Sequence, residues 1–236
     1  MVKGHAHGEE HRDVAGGTQR AAIFGITDGL VTNVSLIFGF AGAHPSASVV
    51  RLAGIAGLVA GAFSMASGEY LSMQAQRELF ERELSIERQA LIDDPEMERR
   101  ELVSIYKSKG LDEELAGELA DTMMRDPEVA LETHAREELG IDPTAIGRPI
   151  SAALTSLVMF AIGAFLPLLP WLFGGGTTAV LTSLGIATVA ILILGALLGH
   201  LSGRSRIVGA LRAFGIGAFA TAVTYGIGHL VGVTTA

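Results

Sequence analysis

Leu52–Ile92 reads LAGIAGLVAGAFSMASGEYLSMQAQRELFERELSIERQALI, and it changes character midway without a proline or a turn signal. Up to Ser72 it is apolar and glycine-rich, with Glu69 its only charge; from Met73 onward charged residues recur at helical spacing. About 20 apolar residues cross the hydrocarbon core of a bilayer, so Leu52–Ser72 is expected to be a membrane span. With nothing to break it, the helix is expected to leave the membrane and continue as a charged rod to about Ile92.

Outward from this stretch, four more apolar segments have spanning length: Ala21–Ala43, Ile150–Phe173, Thr177–Leu201 and Ile207–Val231. Between the second and third lies a polar block, Met73–Arg148, which holds 20 of the 25 acidic residues, and none follows Asp142. The expected fold is therefore an all-α membrane protein with five transmembrane helices and a cytosolic helical metal-binding domain inserted between the second and third spans. Its divisions are a tail over 1–20, two spans over 21–72, the acidic domain over 73–148 and three spans over 149–236.

Composition agrees with the membrane class. Hydrophobic residues make up 49% of the chain and charged residues 18%, against roughly 25% charged in ordinary soluble domains. Thirty glycines and few aromatics fit helices that approach closely through small residues. The absence of cysteine excludes disulfides, thiolate catalysis and cysteine-based zinc sites.

Lys and Arg set the orientation, because they concentrate on the cytoplasmic side. Lys3, Arg12 and Arg20 lie in the tail, ten lie in Met73–Arg148, and Arg204 and Arg206 lie between the last two spans, with Arg212 just inside the fifth; the opposite side has only Arg51. The tail and the acidic domain are thus expected in the cytosol and the C-terminus outside. The tail carries His5, His7, His11, Glu9, Glu10 and Asp13 and has no cleavage site of the signal-peptide kind.

Within the acidic block, Asp94-Pro95, Asp112 and Asp126-Pro127 each offer a helix start, and Gly110 and Gly140 offer stops. On these helices Glu83 and Glu87 are four apart, Glu98 and Glu101 three apart, and His134 and Glu138 four apart with Glu137 beside them. Such spacings put both members of a pair on one face. Converging carboxylates with one imidazole would suit divalent ions such as Fe²⁺ or Mn²⁺. A solvated acidic face braced by the ten interleaved basic residues has the same pattern, and spacing leaves both open.

Two carboxylates interrupt the spans themselves, Asp28 and Glu69. A charge at bilayer depth costs several kcal/mol, so a lone one faces a partner or a watery path. Asn33, five residues beyond Asp28, offers a second oxygen, and Met65 offers a soft thioether that a borderline ion tolerates better than Ca²⁺ or Mg²⁺ would. A carboxylate that alternates between proton and metal is the simplest antiport device. Glu69 lies near enough to the membrane edge to brace the rod instead.

The motifs Gly25-Ile-Thr-Asp28-Gly29-Leu30, Ala62-Phe-Ser-Met65-Ala-Ser-Gly-Glu69-Tyr-Leu-Ser72, Arg82-Glu83-Leu84…Glu87 and Glu137-Glu138-Leu-Gly-Ile-Asp-Pro143 together resemble the vacuolar iron transporter family, over nearly the whole chain. The resemblance implies a homodimer that moves Fe²⁺, often Mn²⁺ as well, out of the cytosol in exchange for protons. Zn²⁺ and Co²⁺ are further candidates. By position it makes Asp28 and Met65 intramembrane contacts, and Glu87, Glu98, Glu101, His134 and Glu138 a cytosolic site. The chain departs from plant-type members at Ala90, Ala135, His134 and Gly57, the last standing where an acid is expected ahead of Met65.

The expectation is thus a transporter and not an enzyme, with metal ions, protons and the lipid bilayer as partners, no resident cofactor and no nucleic acid. Its membrane is a bacterial plasma membrane, or a vacuolar one if the source is eukaryotic. A metal sensor or buffer without transport is one alternative. A ferritin-like oxidase is another, although no histidine here has the Glu three residues before it that such sites use.

Overall fold

The structure, a computed structural model, describes residues 17–43, 46–143 and 147–235. The tail's histidines and acids therefore lie outside the described residues. Those described form eight α-helices and no strand: α1 (Gly17–Gly42), α2 (Ala47–Asp93), α3 (Pro95–Ser108), α4 (Glu113–Met123), α5 (Pro127–Glu137), α6 (Pro149–Phe173), α7 (Gly176–Leu201) and α8 (Arg206–Thr235). Five of them, α1, α2, α6, α7 and α8, are long and apolar enough to cross a membrane. The second does not break at Ser72 but runs 47 residues to Asp93.

The described residues divide into two compact units, one over Ser72–Gly147 and a larger one over residues up to Leu71 and from Arg148 onward. In the larger unit, small residues decide which helices touch. A side chain on Gly29 would collide with the backbone of Phe160, and one on Gly163 with the carbonyl of Ile26, so α1 and α6 meet backbone to backbone. Gly195 and Gly199 press against Gly209 at the α7–α8 contact, and Gly39 against Gly228 at the α1–α8 contact. Gly195 and Gly199 are thus used within the chain, and Gly203, four residues further on, lies beyond the helix in open space.

Leu30, Ile37, Leu168 and Ile191 fill the centre. Asn33 Nδ2 donates to Ala164 O at 2.6 Å and Ser183 Oγ to Pro167 O at 2.6 Å, both buried, so α6 is clasped from two sides near its internal prolines. The spanning part of α2 is held more lightly. Ala62 is buried over Phe160, and Arg51 Nε donates to Trp171 O at 2.8 Å, yet Leu52, Phe63 and Leu71 are all more than 60% exposed. Exposed apolar side chains on a spanning helix are at home against lipid or another helix.

The smaller unit is built on caps. Asp94 accepts from Met97 N, Asp112 from Leu115 N and Asp126 from Glu128 N, each at 2.9–3.0 Å, which satisfies amides that helix starts leave unpaired. Gly110 and Gly140 follow α3 and α5 at φ +99° and +65°, a region open to glycine and costly for other residues. Leu102, Tyr106, Ala116 and Ala120 pack α3 on α4, while the buried face of α5 carries Ala130, Leu131, His134 and Ala135.

Candidate metal centre

His134 has no exposed surface and stands among three carboxylates from three helices. Its Nδ1 lies 3.1 Å from Glu87 Oε1 on α2, 3.7 Å from Glu98 Oε2 on α3 and 3.4 Å from Glu138 Oε2, which belongs to the residue capping α5. One ligand atom from each of the four groups falls within 4.8 Å of every other. Local structure sets each contributor. Asp94 fixes the start of α3 so that Glu98 sits in its first turn, and the four-residue step from His134 to Glu138 stacks both on one face.

Burial makes this arrangement expensive without a cation. Glu87 and Glu98 are nearly inaccessible, and Glu138 is the member open to solvent. Glu87 Oε1 and His134 Nε2 make no hydrogen bond despite being buried, and 3.1 Å from Nδ1 the Glu87 oxygen is placed for charge attraction but out of line for a hydrogen bond. An unsatisfied buried polar group costs about 1–3 kcal/mol. Desolvation, followed by the neighbouring Glu138 charge, raises Glu87 to about 7, with His134 opposing. Desolvation likewise raises Glu98, again against His134. Three carboxylates around one imidazole can be neutralised by protons or by a divalent ion, and this oxygen-rich set with a single nitrogen suits Fe²⁺ or Mn²⁺.

The other expected site residues fall elsewhere. Glu101 is half-buried and acts on Glu87 and Glu98 through its charge without joining the four. Glu83 is half-buried outside the cluster, and Glu137 pairs with Lys109. In the membrane unit Glu69 pairs with Arg20 at 3.2 Å, a partner that sequence distance conceals. Met65 packs beside Ala62 and Phe160. Asp28 is exposed on α1 and accepts from Thr32 Oγ1 at 3.0 Å, whereas Asn33 faces inward, its Oδ1 buried and without a hydrogen bond. The four-residue step from Asp28 to Thr32 was the available signal; the five-residue step to Asn33 turns the two apart. A side chain at Gly57 would meet the Leu36 methyl and the Asn33 oxygen, so these two side chains would have to shift to admit an acid there.

Five apolar spanning helices and a carboxylate–histidine cluster on a helical unit between the second and third of them define a multi-pass membrane protein with a divalent-cation type of donor set. The chain belongs to the VIT family, whose model matches residues 19–229. It is 34% identical over 228 residues to vacuolar iron transporter 1 of Oryza sativa subsp. japonica, covering 96% of this chain and 90% of that protein. It is 31% identical over 226 residues to vacuolar iron transporter 1 of Arabidopsis thaliana, covering 95% and 90%. The vacuolar iron transporter of Acanthamoeba castellanii is 34% identical over 232 residues, covering 94% and 83%.

Proposed function

We propose that this protein exports Fe²⁺, and Mn²⁺ as a second substrate, from the cytosol in exchange for protons, working as a homodimer. The observation that carries the proposal is the buried meeting of Glu87, Glu98, His134 and Glu138. It would receive metal on the cytosolic side, a placement of Ser72–Gly147 that the distribution of Lys and Arg supports. Asp28 and Met65 would then pass the ion across the membrane. The Asp28 carboxylate lies exposed on a spanning helix with a single threonine contact, an arrangement that a second protomer would complete, and its alternate loading with proton and metal would couple the two flows.

Among the described residues the cluster draws all four members from Ser72–Gly147, which favours a second reading as a membrane-anchored metal buffer. Uptake of Fe²⁺ and Mn²⁺ into sealed proteoliposomes holding a pH reporter separates the two. Metal entry coupled to proton exit, abolished by Asp28→Ala and weakened by Glu98→Ala, is the expected result. Metal bound without flux under an imposed pH gradient would establish the buffer.

A further inference from the structure

Near the beginning of α8 a groove opens between α1 and the joined pair α7 and α8. Farther along, α1 and α8 close on each other at Gly39 and Gly228 and again at Ala43 and Gly232, while Gly195, Gly199 and Gly209 seal α7 to α8. Between these seams a groove of about 510 Å³ remains, within the size range of about 300–1,000 Å³ that encloses one organic ligand. Phe24 and Val31 of α1, Leu198 of α7, and Val208 and Ile216 of α8 wall it, and Ser202, Arg204 and Arg212 line it as well.

Among the described residues of the spanning unit, no acid answers the charge in this groove. No acid follows Asp142, so α6, α7 and α8 carry no counter-charge. Of the two acids in the spans, Asp28 is bonded to Thr32 and Glu69 is paired with Arg20. Arg212 stands six residues into α8, about 9 Å along its axis, beside apolar walls where a guanidinium needs an anion or must snorkel to water. A free phosphate would answer the arginines and leave the walls bare. A phospholipid answers both, its phosphate on the guanidinium donors and one acyl chain along Phe24, Val31 and Ile216. Basic pockets between spanning helices hold anionic headgroups in this manner.

We infer that the groove between α1, α7 and α8 is a binding site for one anionic phospholipid, held by Arg204, Arg212 and the Ser202 hydroxyl. The site is separate from the metal cluster and does not depend on transport.

The test is native mass spectrometry of the full-length protein, stripped of lipid and reloaded from equal mixtures of phosphatidylglycerol and phosphatidylcholine with matched chains. Wild type should retain one phosphatidylglycerol per chain with at least about tenfold preference, since each basic residue at the surface adds appreciable attraction. Arg204→Gln/Arg212→Gln should bring the preference to near parity, and Arg206→Gln, whose side chain does not line the groove, should keep it. Val31→Trp should lose the lipid with both arginines intact, which keeps the test decisive if the double variant fails to fold. Equal retention of the two lipids by wild type, or an unchanged preference in the double variant, would overturn the inference. So would displacement of the lipid by equimolar glycerol phosphate, which marks a site for soluble anions, or cross-linking of a second protein copy through Val31, which marks an interface.

Discussion

Glu87 and Asp28 are both carboxylates on long helices, and the structure treats them in opposite ways. Glu87 is enclosed by groups from α3 and α5, and burial raises its carboxyl to about 7. Asp28 is exposed on its span and meets one hydroxyl. The small unit finishes its polar chemistry inside one chain and tolerates charge because caps and ion pairs surround it. The membrane unit fills its interior with close backbone contact and leaves Asp28 at its surface.

The largest effect that would test this contrast is on packing. Gly29→Val forces a branched side chain into the Phe160 backbone and should abolish recovery of monodisperse protein by size-exclusion chromatography. Gly117→Ala in α4 meets only the Arg99 guanidinium at 3.7 Å and should be neutral or stabilising by up to about 1 kcal/mol in a thermal melt. Comparable damage from both would erase the distinction between the units.

Metal affinity comes next. His134→Ala should weaken Mn²⁺ binding by about a hundredfold or more in calorimetry, since even outer partners of a metal site are worth about 10–100-fold. Glu101→Ala should cost about tenfold or less, and Asp28→Ala should leave this binding within about twofold while removing flux. A large loss on Asp28→Ala would show that the two carboxylates share one site.

A third effect is pH dependence. Glu87 binds its proton up to about 7 in the folded protein against 4.5 ordinarily, so between those values the folded state holds a proton that the unfolded chain has released. Stability of the metal-free protein should therefore fall as pH rises through that window. Metal affinity should rise over the same window, by up to about tenfold per pH unit for each proton displaced. Glu98, shifted in the same direction, should steepen the rise. Flat affinity between pH 5 and 7 would mean that the cluster is already ionised.

The smallest effect belongs to the Arg20–Glu69 pair. Arg20 is 58% exposed, so Glu69→Gln should cost under about 1 kcal/mol in the thermal melt. A loss of flux beyond that small penalty would instead make Glu69 part of the path.

Elements whose cause is local were legible from the chain. Apolar length gave five spanning helices, and Asp94, Asp112, Asp126, Gly110 and Gly140 mark turns in the small unit because capping and positive φ depend on one or two residues. The candidate site was legible as faces but not as meetings. Spacing put Glu83 with Glu87 and Glu98 with Glu101, but only tertiary packing decides which member of each pair reaches His134. Adjacent Glu137 and Glu138 differ by about 100° around a helix, enough to send one to Lys109 and the other into the cluster. Arg20 and Glu69, 49 residues apart, lie beyond any local rule.

The contact that steadies the far end of α2, Arg51 on the Trp171 carbonyl, places the chain's single tryptophan at 3% exposure beside that helix. The protein therefore carries a built-in fluorophore at the end of α6, remote in sequence from every member of the candidate metal centre. Its emission should be blue-shifted while α2 stays seated and should move to the red if Arg51 lets go. Optical titration with metal would then report whether loading the cluster is felt at the opposite end of the same helix, without a label.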